Sequence, residues 1–115
     1  MRRNVTHVLL LLAVLALAAG CRGGRVMTVK ELLDDPARFD RQTVRVVGEV
    51  RESIGAFGYG AYRLDDGTGV IAIVSKEGGA PRTGARVGVE GTFRAAFTLG
   101  TETLAAIEET SRRTP

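Results

Sequence analysis

The chain has 115 residues with one cysteine, one histidine and no tryptophan, so it holds one small domain and excludes a large enzyme cleft. The formal net charge is +3, but Arg2 and Arg3 belong to an N-terminal segment with the pattern of an export signal. Without these two of the 16 basic residues, 14 basic side chains remain beside 13 acidic ones. This near-balance does not by itself indicate an acidic partner.

The N-terminal segment has the three parts of a secretory signal. Basic residues precede an apolar run from Val8 to Ala19, and small residues lead to Cys21. The run is about twelve residues long, whereas a helix needs about 20 apolar residues to span a membrane, so a signal peptide is favoured over a single-pass anchor.

The sequence LAAGC at the end of this segment resembles the lipobox of bacterial lipoproteins. One departure is Ala18, where the family prefers leucine, since Leu17 lies one position earlier. The resemblance implies that Cys21 is acylated, with palmitate-type chains, and anchors the exported protein to a membrane. The alternative is an ordinary secretory signal, but that would leave a lone thiol in an oxidising compartment. With Arg22 after the cysteine, the resemblance implies the outer membrane, facing the periplasm, where the cell has one.

Composition divides the chain into four segments. A signal peptide is predicted over residues 1–20, and the lipidated cysteine with a flexible Gly-rich tether over 21–27. The folded domain is predicted over residues 28–109. The polar, Pro-terminated residues 110–115 are expected to form a disordered tail.

The folded domain begins with a helix signal. Thr28 and Glu31 have the spacing of a capping box, and Pro36 ends the helical pattern. The spacing predicts a short helix whose core face carries three apolar residues, Val29, Leu32 and Leu33.

Everything after Asp40 has the pattern of strands and turns. Five strands are predicted, over residues 43–52, 61–65, 70–75, 85–94 and 103–108. Gly48 and Gly91 interrupt the apolar face of two matching strands, which is typical of sharp bends at the corners of a small barrel. A tight hairpin is predicted at Asp66–Gly69. The acidic pair Asp65 and Asp66 is assigned to that turn and not to acid–base chemistry, since adjacent strand residues point to opposite faces.

The runs VRVVGEV, YRLDDGTGVIAIV and RVGVEGTF resemble bacterial OB-fold domains, which include small exported proteins and the oligonucleotide-binding domains attached to tRNA synthetases and helicases. The family's [LF]-x-D-x-[TS]-G-x-[IL] hairpin is matched by five residues, Leu64, Asp66, Thr68, Gly69 and Ile71. The resemblance spans Thr28 to Glu109 and implies an all-β, five-stranded Greek-key barrel with one short N-terminal helix. Many OB folds place a helix between strands three and four, but KEGGAPRTG is a Gly and Pro loop there. We therefore expect the N-terminal helix to plug the barrel end.

Catalytic groups are scarce in the mature chain. His7 is removed with the signal and Cys21 is acylated, so no histidine or free cysteine remains. This excludes Ser-His-Asp and Cys-His mechanisms and the usual zinc and haem sites. We expect a non-enzymatic protein without a cofactor or metal.

The candidate ligand site lies on the two connections that border the usual OB-fold groove, residues 53–60 and 95–102. Six residues are the candidate contacts, namely Arg51, Phe57, Tyr59, Arg63, Arg94 and Phe97. The alternative is that the loop aromatics only cap the core.

Three functions are open. The main expectation is a membrane-anchored binding module for a protein, saccharide or small polyanionic ligand. The alternatives are single-stranded nucleic-acid binding and a structural subunit of an envelope complex. We expect nucleic-acid binding to be weak, because the charge is small and the outward positions of strands two and three carry no aromatic residue.

Overall fold

The computed structural model describes residues 25–56, 59–76 and 79–114, with the side chains of residues 54–56 and 59 excluded. Predictions about the signal segment and Cys21 lie outside these residues. The elements are α1 (Val29–Asp34), α2 (Pro36–Phe39), β1 (Thr43–Ala56), β2 (Tyr59–Asp65), β3 (Val70–Ser75), β4 (Arg86–Leu99) and β5 (Glu102–Arg113). None of the helices within the described ranges is long and apolar enough to cross a membrane.

The five strands close into a barrel in the order β1-β2-β3-β5-β4. All neighbours are antiparallel except β3 and β5, which are parallel. β1 closes the ring because its first part, from Thr43 to Glu49, pairs with β4, and its later part pairs with β2. The predicted all-β, five-stranded class is confirmed.

Two glycines permit the tight coiling of the sheet. A Cβ at Gly48 would lie 2.5 Å from the carbonyl oxygen of Asp65, and a Cβ at Gly91 would overlap the carbonyl oxygen of Glu108. Backbones approach at both positions more closely than any side chain allows. The close approach of neighbouring backbones expected at such interior glycines is confirmed.

Helix α1 plugs one end of the barrel, as predicted. The capping box of Thr28 and Glu31 is formed, and the Val29 backbone N–H donates to Asp66 Oδ2 at 2.9 Å, which ties the helix to the β2–β3 turn. Val29 and Leu32 have no exposed surface. The expectation for Leu33 is wrong, since it is 40% exposed. A helix of six residues buries only a narrow face, which here carries Val29 and Leu32.

The β3–β4 connection closes the other end. The Ser53 hydroxyl donates to the carbonyl oxygen of Pro81, and Ala80 packs against the core cluster. Gly60 lies directly against the backbone of Gly79 and Ala80. The Gly and Pro loop thus takes the place of a covering helix at this end.

The strands are longer than predicted. Residues 53–56 belong to β1 and 95–99 to β4, so the two expected long loops are largely paired strand. β5 continues to Arg113, which pairs with Gly88, so the expected tail is wrong for residues 110–113. These stretches lack strong apolar alternation, and backbone pairing with neighbouring strands determines their conformation.

Candidate functional site

The outer side of β2, β3, β5 and β4 carries a row of four residues at right angles to the strands, one of which, Ala106, has no exposed surface. Arg63 pairs with Ala72, Ala72 with Ala106, and Ala106 with Arg94. Paired residues point to the same side of a sheet, and Arg63 points outward because Tyr62 and Leu64 are buried. At about 4.8 Å per strand, the two arginine Cα atoms lie roughly 14 Å apart. We call these four residues the arginine row.

Carboxylates lie beside the arginines at the β1–β2 side of this face. Arg63 Nε lies 3.7 Å from Glu52 Oε2, and both side chains are more than half exposed. Arg51 Nε lies 3.2 Å from Asp65 Oδ2 and its Nη1 lies 3.5 Å from Glu49 Oε1. Exposed pairs of this kind contribute at most about 1 kcal/mol, so a stronger anion can displace the carboxylates.

At the other end of the row, one carboxylate serves two cations. Glu108 Oε1 lies 3.4 Å from Arg94 Nε, and Glu108 Oε2 lies 3.7 Å from Lys76 Nζ. The Glu108 side chain is 24% exposed, less than either of its partners. Glu108 therefore offsets much of the positive charge on this side of the face.

A cleft of about 660 Å³ adjoins the face between the ends of β3 and β5. Its lining combines hydroxyl, carboxylate and cationic side chains, those of Ser75, Lys76, Thr92, Glu108, Glu109, Thr110, Ser111 and Arg112. The two carboxylates and two cations leave the lining without net formal charge. Such a lining suits a polar, uncharged group.

Two residues of the cleft lining, Glu109 and Arg112, belong to a buried polar cluster that also includes Tyr62. The Tyr62 hydroxyl donates to Glu109 Oε1, whose side chain is only 6% exposed. Arg112 Nη1 lies 3.4 Å from the same oxygen, and its guanidinium carbon lies 5.8 Å from the Tyr62 ring centre. Burial first, and then Glu109, raise the pKa of Tyr62 far above its ordinary value. The hydroxyl thus keeps its proton and remains a donor.

The acidic pair at the β2–β3 turn has a structural role, as predicted. Asp65 Oδ1 accepts from the Gly67 backbone N–H at 2.8 Å, which lowers the pKa of Asp65. Burial alone would raise the pKa of Asp66, but hydrogen bonds from Thr68, Val29 and Gly69 hold it below its ordinary value. The two carboxylates fix the turn and the start of α1.

The structure brings the predicted arginines to one face, but the predicted aromatics do not join them there in the described residues. Arg51 and Arg63 lie on neighbouring strands, and Arg94 lies at the far end of the row. Phe97 is half-buried and pairs with Leu104 in the β4–β5 hairpin. Phe57 lies outside the described residues, as does the side chain of Tyr59.

Sequence reasoning missed two residues that organise the site. The adjacent glutamates at the end of the predicted fifth strand have the pattern of a solvated strand end, yet Glu108 joins two cations and the side chain of Glu109 is buried. The register of the β4–β5 pairing shifts between Glu90 and Gly91 of β4. The alternation of apolar and polar residues along β5 therefore does not show which glutamate points inward.

Metal chemistry finds no support in residues 25–56, 59–76 and 79–114. Within these ranges no three or more His, Cys, Asp and Glu side chains are grouped so as to hold a metal ion. Every buried side-chain nitrogen or oxygen in the same ranges also has a hydrogen-bond partner.

No protein-family model matches this sequence, and no curated protein sequence is similar to it. Solved structures of similar shape include aspartyl tRNA synthetase from Entamoeba histolytica, with 16% identity and a TM-score of 0.63 over 79% of this chain and 21% of that chain. Asparaginyl-tRNA synthetase from Pyrococcus horikoshii, complexed with asparaginyl-adenylate, has 17% identity and a TM-score of 0.64 over 79% of this chain and 22% of that chain. OBody AM3L09, bound to hen egg-white lysozyme, has 15% identity and a TM-score of 0.52 over 65% of this chain and 82% of that chain.

The chain spans about a fifth of the length of the two synthetases that it matches. At these identities the likeness establishes the fold and nothing of the activity. The closed β1-β2-β3-β5-β4 barrel is an OB fold, as the resemblance of its sequence implied.

Proposed function

We propose that this domain is a non-enzymatic binding module and that its ligand is a single-stranded oligonucleotide held on the outer face of β2, β3 and β5. OB folds bind oligonucleotides on the face of strands two and three. The observation that carries the proposal is the arginine row, in which Arg63 and Arg94 stand on either side of two alanines. The likeness to two tRNA synthetases supports this ligand class over the main expectation from the sequence.

The charges beside the row support modest affinity that falls as the salt concentration rises. A phosphate must displace Glu52 from Arg63 and Glu108 from Arg94 before it binds. No aromatic side chain stands on the row itself, so stacking adds little. Release of counterions is then the main driving force, and salt opposes it directly.

The test is a fluorescence titration of a labelled oligothymidylate with the protein at several salt concentrations. Arg63→Ala should weaken binding several-fold and reduce the salt slope by about one. Arg82→Ala is the matched control, because Arg82 is an exposed cation on the β3–β4 connection, which contributes no residue to the row. Absence of binding by the unmodified protein, or equal losses in both variants, would refute the proposal.

A second candidate function, supported by the cleft, is binding of a neutral saccharide. The cleft offers four hydroxyl side chains and a lining without net charge, which suits an uncharged polyhydroxylated ligand better than a polyanion. A titration with neutral oligosaccharides distinguishes the two. Binding that is insensitive to salt and weakened by Ser111→Ala would favour this candidate. OBody AM3L09 bound to lysozyme gives weaker support to a protein ligand.

We also propose that the domain is exported and tethered to a bacterial membrane through acylated Cys21. The lipobox-like sequence LAAGC supports this, and only three residues separate Cys21 from Arg25, where the described chain begins. Cys21→Ser should release the protein from membranes or leave it as an uncleaved precursor. A processed Cys21→Ser protein that still fractionates with membranes would contradict the anchor.

A further inference from the structure

We propose that the β1–β4 side of the barrel is a docking surface for an anionic lipid membrane, so that β3, with Ala72 of the arginine row, is turned away from the membrane. This inference rests on the proposed anchor at Cys21. We call the docking surface the tether face. Its residues line a shallow hollow of about 250 Å³ and are Val26, Arg45, Val47, Gly88, Val89, Glu90, Ser111, Arg113 and Thr114.

The position of the chain ends supports this surface. The Met27 backbone N–H donates to the carbonyl oxygen of Arg45 at 2.7 Å, so the chain joins the domain along β1. Val26, just before it, is 51% exposed and lines the hollow. Thr114, the last described residue, lines the same hollow. Both ends of the described chain therefore lie at the tether face.

The length of the tether restricts the orientation. Three residues separate Cys21 from Arg25, so their Cα atoms lie at most about 14 Å apart in a fully extended chain. A domain of this size is roughly 30 Å across. An acylated Cys21 cannot reach the opposite side of the barrel, so the side nearest Arg25 faces the lipid.

The charges of the tether face and its surroundings suit anionic headgroups. Arg45 and Glu90 neutralise each other at 2.8 Å. Arg113 is exposed and has no ion pair among the described residues. The same holds for Arg86, which lies on β4 two residues before Gly88, the strand partner of Arg113. Arg22 adds a further positive charge within the tether. Clustered basic residues next to a lipid anchor are attracted to the negative surface potential of anionic membranes.

The barrel topology places β3, which carries Ala72 of the arginine row, away from this surface. In the ring β1-β2-β3-β5-β4, strand β3 neighbours neither β1 nor β4. Ala72, inside the row, therefore lies across the barrel from Val47 and Gly88. Docking on the tether face leaves Ala72 open to a ligand in solution, and Arg94, at the β4 end of the row, lies beyond Thr92, where the pairing of β4 with β1 ends.

The experiment uses the full acylated protein in vesicles of phosphatidylglycerol and phosphatidylethanolamine that contain a lipid with a quencher on its headgroup. Single fluorescent labels are attached through Val47→Cys, Thr114→Cys or Ala72→Cys, since acylated Cys21 cannot take the label. We expect several-fold stronger quenching at positions 47 and 114 than at position 72. Arg113→Glu should reduce this contrast, and so should vesicles of phosphatidylcholine alone.

Two outcomes would overturn the inference. The first is protein that floats with the vesicles but is quenched equally at all three positions, or more strongly at position 72. This result would refute the orientation and leave the anchor intact. Protein that fails to float with the vesicles would refute the anchor, and the orientation with it. Similar quenching of the labels at positions 47 and 114 would show that the result does not come from a local disturbance by either substitution.

Discussion

The carboxylate of Glu108 lies 3.4 Å from the guanidinium of Arg94 at the end of the arginine row. Its other oxygen lies 3.7 Å from the ammonium group of Lys76. A phosphate group that binds either cation must compete with the carboxylate of Glu108. This single residue therefore limits the affinity of the face for polyanions.

Glu108→Gln should strengthen oligonucleotide binding several-fold. The amide keeps the size of the side chain but releases Arg94 and Lys76. Up to about two more counterions should then be released on binding, which makes the slope of log affinity against log salt concentration steeper. The measurement is the same fluorescence titration of labelled oligothymidylate at several salt concentrations. Glu102→Gln, at the start of the same strand, changes the net charge equally and is the control. Weaker or unchanged binding by Glu108→Gln would contradict the role assigned to the carboxylate.

Gly91→Ala should destabilise the barrel by about 1–3 kcal/mol, because the added methyl group would overlap the backbone of Glu108 and approach the Ile107 side chain to 2.8 Å. Gly88→Ala on the same strand is the matched control. Its Cβ would make only ordinary contacts, the nearest at 3.7 Å, so the free energy of unfolding should change by less than about 0.5 kcal/mol. Denaturant unfolding measures both variants. Equal stability of the two would mean that β4 and β5 are further apart than the structure shows.

The barrel was predictable from the sequence because its signals are local. Gly48 and Gly91 interrupt apolar strands, and the Asp66 turn has few conformations open to it. The roles of Glu108 and Glu109 were not predictable, because they depend on a register shift opposite Gly91 and on the parallel pairing of β5 with β3. Contacts between residues so distant in sequence leave no periodic pattern in a single chain.

Asp66→Asn should lower the free energy of unfolding near neutral pH by about 1–2 kcal/mol, since the carboxylate accepts several hydrogen bonds at the turn. The pKa of Asp66 is lower in the folded state than its ordinary value. Its stabilising effect is therefore complete above the unfolded-state pKa of about 3.9 and is lost as the pH falls through the folded-state value.

Urea unfolding of Asp66→Asn and the unmodified protein between pH 7 and strongly acidic pH tests this dependence. The difference between the two should shrink below about pH 4. Asp34→Asn removes an exposed carboxylate that is paired with Lys30, and should change stability by less than about 0.5 kcal/mol. A difference for Asp66→Asn that stays constant with pH would show that the charge of this side chain is not involved.

Tyr62 should remain protonated in the folded barrel at pH values that ionise an ordinary tyrosine. Burial and the neighbouring Glu109 raise the pKa of Tyr62, with Arg112 only partly opposing them. In Tyr59→Phe, Tyr62 is the remaining tyrosine, so the near-ultraviolet absorbance of tyrosinate reports on it alone. Because the folded-state pKa is raised, the stabilising effect is complete below about pH 10 and is lost as the pH rises towards the folded-state value. Tyrosinate should then appear together with the loss of β-sheet circular dichroism. In the control Tyr62→Phe, any tyrosinate signal comes from Tyr59. A midpoint near pH 10 for Tyr62 with the barrel still folded would contradict its burial beside Glu109.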